Sequence, residues 1–254
     1  MAAPVLLVVA HGSRDPRHAA TVHALTARVR SLRPGLRVET GFLDFNAPTV
    51  PRVLEHLAAD GETGVVALPL LLTRAFHAKS DIPAVLGEAR SRLPRLRIRQ
   101  ADVLGPSPLL NEALEGRLRE AGIAPGDRAS TGLVLASAGS GDPEAVTVID
   151  GVAQRLRDSG WGAVRPAFAS AVTAGGPPRT ADAVRALRAG GARRVAVAPY
   201  VIAPGRLPDR IAAGAEEAGA EVLAGVLGPS PVLARLLLDR YDEACAPVSG
   251  ALSA

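Results

Sequence analysis

The sequence predicts an α/β fold of two tandem flavodoxin-like units, each a four-stranded parallel sheet with helices on both faces. Short aliphatic runs alternate with longer amphipathic segments along the chain, which is the pattern of βαβ units. Aromatic residues make up only 3% of the 254 residues, so the core must consist of Val, Leu, Ile and Ala. Strands of parallel sheets are covered on both faces and typically have this aliphatic composition.

Three blocks of sequence occur twice in the same order, which indicates an internal duplication. The first pair is V-V-A-H-G-S-R-D-P from residue 8 and L-A-S-A-G-S-G-D-P from residue 135. The second is V-V-A-L-P-L-L-L from residue 65 and V-A-V-A-P-Y-V-I from residue 195. The third is L-G-P-S-P-L-L from residue 104 and L-G-P-S-P-V-L from residue 227. The chain is therefore one unit repeated twice.

The join between the copies falls in 122–130, a segment rich in glycine, proline and charge. We predict an N-terminal unit at 1–125 that carries the site, a degenerate C-terminal repeat at 126–246 and a flexible tail at 247–254. These are called the first unit, the second unit and the tail below.

The elements of each unit follow from the aliphatic runs and from helix-capping signals. Asp15 followed by Pro16 predicts the start of a helix that runs to about residue 32. The other first-unit helices are predicted at 49–59, from Ser80 or Asp81 to 92, and at 107–121. Strands are predicted at 5–10, 36–44, 64–72 and 96–101, and near 131–137, 162–169, 194–202 and 221–226. Right-handed crossovers favour the strand order 2-1-3-4, with a crevice beyond the carboxyl ends of strands 1 and 3.

Composition excludes several classes of protein. The single cysteine, Cys245, permits neither an internal disulfide nor a cysteine-based metal site. No signal peptide and no membrane-spanning run is recognised, so we expect a cytoplasmic protein without a membrane partner. The net charge is +4, but the arginines are spread along the chain without interleaved aromatics, so no nucleic-acid partner is predicted. We expect a monomer or a weak homo-oligomer.

Two of the five histidines fall where chemistry is expected. His11 directly follows strand 1 and His77 lies in the loop after strand 3, so both should flank the same crevice. Two facing imidazoles form half of a transition-metal site, and Asp44 at the end of strand 2 would add a carboxylate. Such a set leaves coordination positions open, as reactive sites do. From position alone, hydrogen bonding within the loops is an equal alternative for both histidines.

The remaining histidines have a simpler interpretation. They fall on amphipathic helices beside polar residues, so we expect them to be exposed: His18, His23 and His56.

Groups suited to binding an anion accompany the two histidines. Ser13 and Arg14 follow His11 at the start of a helix, whose free N–H groups favour negative charge. Lys79, the only lysine, and Ser80 follow His77 in the same way. We therefore predict a carboxylate-bearing small-molecule substrate held by these four side chains.

Three motifs together resemble one known family. They are V-A-H-G-S-R-D around His11, G-F-L-D-F-N-A-P around Asp44, and P-L-L-L-T-R-A-F-H-A-K-S-D-I-P around His77. The chain resembles the sirohydrochlorin chelatases of the CbiX/SirB type, class II tetrapyrrole chelatases, over its whole length and in their long two-domain form. The family usually has Glu at the acidic position, where this chain has Asp44.

The resemblance implies an enzyme of the lyase class, with the flavodoxin-like units as chelatase-like units. Its activity would be insertion of Fe²⁺ or Co²⁺ into sirohydrochlorin or a related reduced tetrapyrrole, in sirohaem or cobalamin biosynthesis. The divalent ion would be a substrate, and no organic cofactor is implied. His11 and His77 would bind the metal, and these two with Asp44 would be catalytic. A carrier that binds metal or tetrapyrrole without turnover remains the alternative.

The second unit lacks the metal-type residues. Ala138 stands at the position of His11, Leu207 at or near that of His77, and Ser170 at that of Asp44. Other polar residues of the repeat are kept: Ser137, Ser140, Asp142, Arg206 and Asp209. The duplication thus predicts one active and one supporting unit. The supporting unit either forms a wall of the substrate cleft or has a purely structural role.

Overall fold

The computed structural model describes residues 3–74, 77–139, 142–170 and 178–247, apart from the side chain of His77. Its strands form two all-parallel sheets with the orders β2-β1-β3-β4 and β6-β5-β7-β8. The first-sheet strands are β1 (Val5–Ala10), β2 (Val38–Phe42), β3 (Gly64–Pro69) and β4 (Arg97–Gln100). Those of the second are β5 (Thr131–Ser137), β6 (Ala163–Phe168), β7 (Arg194–Tyr200) and β8 (Val222–Leu223). The predicted strand order is confirmed in both units.

Eight α-helices connect and cover the strands within the described residues. The first-unit helices are α1 (Pro16–Leu32), α2 (Val50–Ala59), α3 (Ile82–Arg92) and α4 (Pro108–Glu120). The second-unit helices are α5 (Pro143–Asp158), α6 (Thr180–Ala189), α7 (Arg206–Glu217) and α8 (Pro231–Cys245). A π-helical turn, His77–Asp81, precedes α3, and a short 3₁₀ helix, Pro125–Ser130, joins the units. No helix among the described residues is long and apolar enough to cross a membrane.

Four helices begin after a residue whose side chain caps them, and one of these residues is the predicted Asp15. The side chains of Asp15 and Asp142 accept a hydrogen bond from the backbone N–H two residues on, at the starts of α1 and α5. The hydroxyl of Ser107 caps α4 by accepting from the N–H two residues on, and that of Ser230 caps α8 by accepting from the N–H three residues on. A proline follows each capping residue, where its missing N–H costs no helical hydrogen bond. Asp81 makes no capping hydrogen bond, because the π-helical turn leads directly into α3.

The last helix of each unit packs against the sheet of the other unit. Helix α4 lies against β7, and α8 lies against β3 and α1. As a result, one apolar cluster of buried residues extends through both units, while separate clusters fill the outer faces of the two sheets. The two sheets therefore have a shared core, which fixes the position of one unit against the other.

Equivalent arginines reinforce this exchange. Arg117 of α4 donates from Nε to the carbonyl of Leu227, at 3.1 Å. Arg240 of α8 occupies the same place in the repeat and donates to the carbonyl of Leu104, also at 3.1 Å. Each arginine thus binds the L-G-P-S-P motif of the other unit, which gives the molecule an internal two-fold arrangement.

Some strands are shorter than the aliphatic runs predict. β3 ends at Pro69 rather than at residue 72, and β8 has only two residues. The residues beyond β3 stay apolar because they line the cleft described below rather than the sheet. The proposed unit boundary remains a prediction, and all of the tail except residue 247 lies outside the described residues.

Candidate metal and tetrapyrrole site

A cleft of about 450 Å³ opens between the carboxyl ends of the two sheets. The first unit contributes residues 10–13 and 70–73, and the second contributes residues 137–139 and 200–208. The exits of β1 and β3 therefore face those of β5 and β7. The cleft lies at the switch point of both sheets, which is where open α/β sheets bind ligands. We call it the central cleft.

His11 and Asp44 meet at the rim of the central cleft, as the strand order predicts. The backbone N–H of Asp44 donates to the carbonyl of His11 at 2.9 Å, which continues the pairing of β1 with β2. Both side chains are accessible, His11 partly and Asp44 largely. An imidazole and a carboxylate are thus available on adjacent strand ends.

Gly12 makes this close approach possible. Its φ is +95°, and a Cβ at this position would lie 1.9 Å from the carbonyl oxygen of Asp44. Only glycine adopts such a conformation without strain, and no side chain fits in the space. The glycine of the H-G-S-R-D motif therefore lets the chain turn at His11 while it stays against Asp44.

Phe45 provides an exposed aromatic surface between two of the predicted site residues. Its ring centroid lies 6.2 Å from that of His11, and the Arg14 guanidinium lies 5.3 Å from the ring centroid on its face. Phe45 is 50% exposed and has a φ of 60°, which is rare for a bulky residue and typical of functional sites. The sequence motif contains Phe45, but nothing in its spacing indicates this role.

The start of α1 is less open to anions than the sequence suggests. The backbone N–H of Ser13 donates to the side-chain oxygen of Asn46 at 2.7 Å, and that of Asp15 donates to the Ser13 hydroxyl at 3.1 Å. These N–H groups are therefore satisfied within the protein. The remaining anion-binding groups at this rim are the Ser13 hydroxyl and the exposed guanidinium of Arg14.

The loop after β3 brings Lys79 to the second unit. Its ammonium forms ion pairs with Asp142 at 2.8 Å and Glu144 at 2.7 Å. The hydrogen bonds to Asp142 and Glu144 raise the pKa of Lys79. The hydrogen bond that Lys79 donates is in turn the largest cause of the lowered pKa of Asp142. Ser80, next in the chain, is exposed.

The prediction that the imidazoles of His11 and His77 face each other stays a prediction. The backbone of His77 begins the π-helical turn, but its side chain lies outside the described residues. Among the side chains that are described, no three His, Cys, Asp or Glu residues form a group that could hold a metal ion. Nδ1 of His11 lies 3.3 Å from the carbonyl oxygen of Gly12, and this is not the only interaction that His11 makes.

His18 contradicts the expectation that it is exposed. It is half-buried in the first turn of α1 and lines the central cleft, whereas His23 and His56 are exposed as expected. Burial lowers the pKa of His18, and the nearby charge of His11 lowers it further. Nδ1 of His18 is buried without a hydrogen-bond partner in the described part of the chain. The central cleft brings residues of the second unit to this end of α1, which the polar neighbours of His18 in sequence do not indicate.

Tyr200, at the end of β7, is a second cleft residue that sequence reasoning missed. Its hydroxyl is buried and has no hydrogen-bond partner among the described groups. Burial raises its pKa, so the phenol stays protonated at neutral pH. Among the described residues, the central cleft therefore contains one buried polar atom without a hydrogen-bond partner from each unit, in His18 and Tyr200.

The second unit reproduces the backbone of the rim without its chemistry. The N–H of Ser170 donates to the carbonyl of Ala138 at 3.0 Å, which matches the bond between Asp44 and His11. Gly139 has the same φ as Gly12, +95°. Leu207 lines the central cleft at or near the place equivalent to His77, and Ser140 lies outside the described residues. The second unit thus repeats the backbone of this rim with Ala138 and Ser170 in the places of His11 and Asp44.

The described residues form two parallel sheets that face each other across a cleft, and one rim of this cleft carries an imidazole and a carboxylate on adjacent strand ends. This arrangement defines a two-unit α/β protein. A family model described as CbiX matches residues 5–121 and, a second time, residues 132–244. The chain belongs to the CbiX family, and the double match confirms the duplication.

Named relatives agree with this assignment. The sirohydrochlorin cobaltochelatase of Priestia megaterium is 28% identical over 248 residues, which cover 94% of this chain and 79% of that protein. The sirohydrochlorin ferrochelatase of Bacillus subtilis (strain 168) is 26% identical over 249 residues, or 96% of this chain and 93% of that one. The structure of SirB from Bacillus subtilis with Fe³⁺ matches with a TM-score of 0.83 at 25% identity and covers 96% of both chains.

Proposed function

We propose that this protein is a sirohydrochlorin chelatase, which inserts Fe²⁺ or Co²⁺ into sirohydrochlorin or a related reduced tetrapyrrole for sirohaem or cobalamin synthesis. The observation that carries the proposal is the rim where His11 and Asp44 meet, on a chain whose relatives are named for this reaction. The metal ion is a substrate, and the chain's own contribution is to hold it, to hold the macrocycle and to accept protons.

The metal ligands in this proposal are His11 and His77. Neutral imidazole nitrogen suits both Fe²⁺ and Co²⁺, and histidine ligands do not by themselves distinguish these ions. Two protein ligands leave positions at which the ring nitrogens replace water. We propose this pair because β1 and β3 are neighbouring strands, and the segments that follow them, with His11 and His77, begin at the same sheet edge.

The reaction releases two protons for each ion inserted. The divalent ion replaces the two N–H hydrogens of the macrocycle, so that M²⁺ and the ring with two N–H groups give the metallated ring and two H⁺. We propose that Asp44, together with a histidine not then bound to metal, receives these protons. Asp44 is exposed at the rim and passes them to solvent.

Ser13, which lines the central cleft, and three side chains outside its lining would hold the carboxylate arms of the macrocycle. We propose Ser13 and Arg14 at the first rim, with Lys79 and Ser80 at the loop before α3. Lys79 is already neutralised by Asp142 and Glu144, so a substrate carboxylate reaches it only by displacing one of them. The flat exposed ring of Phe45 would stack on the macrocycle beside Arg14.

The proposal is tested by mixing the protein anaerobically with sirohydrochlorin and Fe²⁺, Co²⁺ or Ni²⁺ and following the absorption spectrum. A chelatase converts many equivalents of macrocycle for each protein chain, at a rate above that of the metal and macrocycle alone. A carrier changes the spectrum by one equivalent and then stops. Stoichiometric retention without turnover would therefore replace the enzyme proposal by the carrier alternative.

Arg14→Ala is expected to lower kcat/KM for the macrocycle about tenfold, mainly through KM, because one exposed carboxylate contact is lost. Arg52, which is highly exposed on α2 away from the central cleft, provides the matched control. Arg52→Ala removes the same charge, so the comparison separates a local contact from general attraction of an anionic substrate. Equal losses in both variants would remove Arg14 from the proposed site.

A further inference from the structure

Two ion pairs join the units at places related by the internal two-fold arrangement. Arg17 pairs with Asp209 at 2.7 Å, and Lys79 pairs with Glu144 at 2.7 Å. Arg17 and Glu144 are equivalent, since each lies two residues after the aspartate that caps its helix. Lys79 and Asp209 are equivalent as well, since each lies ten positions after the proline near the end of the third strand in its unit, Pro69 or Pro199.

The charges at these equivalent positions are opposite in the two units. The first unit carries Arg17 and Lys79, which are both positive, and the second carries Glu144 and Asp209, which are both negative. The same two ion pairs could have been made with one arrangement of charges in both units. Each unit would then carry a positive residue at its helix start and a negative residue after its third strand. That alternative would let each unit pair with a copy of itself.

A third ion pair lies at the contact between the exchanged helices. Glu112 of α4 and Arg235 of α8 pair at 3.0 Å. They occupy the same position of the repeat, five residues after the serines that cap their helices. A residue that meets its own equivalent is on the internal two-fold axis. In a pair of like units, Glu112 would meet Glu112 and Arg235 would meet Arg235.

We propose that these charges make each unit complementary to the other unit and repulsive toward itself, so that the His11 rim always faces the Ala138 rim. In a pair of first units, Arg17 would face Lys79 twice, and only the capping Asp15 beside Arg17 would oppose this repulsion. In a pair of second units, Asp209 would face both Glu144 and the capping Asp142, twice over. The partner that fits the surface around the central cleft of the first unit is therefore the second unit. This inference concerns how the units pair and does not depend on the reaction proposed above.

The intact chain can be made to mimic each disfavoured pairing. Glu144→Arg with Asp209→Lys gives both units positive rims, and Arg17→Glu with Lys79→Asp gives both units negative rims. Combining all four substitutions restores opposite signs with the polarity reversed. Each pair is exposed and stabilises weakly, so the thermal unfolding midpoint is measured at low salt. The effect of Glu144→Arg with Asp209→Lys is measured twice, once in the wild-type chain and once in the chain that already carries Arg17→Glu with Lys79→Asp.

We expect Glu144→Arg with Asp209→Lys to lower the midpoint of the wild-type chain by about 4 °C and to raise that of the negative-rim variant. The four-substitution chain need not reach wild type, because Asp15 and Asp142 stay in place beside residues 17 and 79. A change of the same sign in both backgrounds would overturn the proposal.

The axial pair provides an independent test, away from the central cleft. Glu112→Arg and Arg235→Glu should each lower the midpoint, and the double substitution should recover most of the loss. A double variant that loses as much as the two single variants added together would show that the charges do not act on each other. The inference would then fail even if the rim variants behaved as expected for local ion pairs.

Discussion

Replacing His11 by Ala is expected to reduce the rate of metal insertion by at least about 100-fold, the size of effect that a lost ligand or proton acceptor has at a reactive site. His11 lies at the carboxyl end of β1 and presents its imidazole to the central cleft. Nothing else among the described side chains of that rim supplies a neutral nitrogen donor except the half-buried His18. The chelation rate under anaerobic conditions is the measurement.

The loss must be distinguished from a loss of structure. His11 is partly exposed and follows the strand rather than packing within it, so His11→Ala should shift the free energy of unfolding by less than about 1 kcal/mol. His56→Ala is the matched control, because His56 is exposed on α2 away from the central cleft. If His11→Ala kept the wild-type rate, the proposed metal site would be wrong, whatever the activity of the chain.

The comparison of His11→Ala with Asp44→Ala separates the two proposed roles. Without its carboxylate the rim keeps a metal ligand, so Asp44→Ala should reduce the rate while equilibrium binding of Co²⁺ stays close to that of wild type. His11→Ala should weaken both. The distinction rests on the adjacency of the two residues, which the hydrogen bond between their backbones establishes.

The sheet and the rim could be predicted from sequence because both depend on local pattern. Aliphatic runs and capping residues place the strands and helices, and the crossover rule then fixes the strand order. Once β1 and β2 are neighbours, His11 and Asp44 must leave the sheet side by side. The repeat further predicts that Ala138 and Ser170 occupy the corresponding rim of the second unit, as they do.

Contacts between the units could not be predicted in this way. His18 has polar neighbours in sequence, yet it is half-buried and lines the central cleft between the units. Lys79 follows a predicted ligand and resembles a substrate-binding residue, yet it pairs with Asp142 and Glu144, which are more than 60 residues away. The exchange of α4 and α8 likewise leaves no local signal, since an amphipathic helix packs equally well on either sheet.

Gly12→Ala is expected to destabilise the protein by about 3 kcal/mol and to abolish metal insertion. The new Cβ would require a positive φ of an L-residue, and it would also lie 1.9 Å from the backbone carbonyl of Asp44. Because backbone cannot rotate away as a side chain can, the strand ends must separate. The bond that joins Asp44 to His11 would be lost, and with it the geometry of the rim.

Two other glycines separate these contributions. Gly61 has a φ of +83° and open space around it, so Gly61→Ala measures the conformational cost alone, about 1 kcal/mol. Gly139, at the equivalent place in the second unit, has a φ of +95° and would meet the Ser170 hydroxyl at 2.0 Å, a group that can turn aside. Thermal unfolding should therefore show the smallest loss of stability for Gly61→Ala, a larger loss for Gly139→Ala and the largest loss for Gly12→Ala. If Gly12→Ala lost no more stability than Gly139→Ala, the requirement for glycine at this turn would not come from the close approach of Asp44.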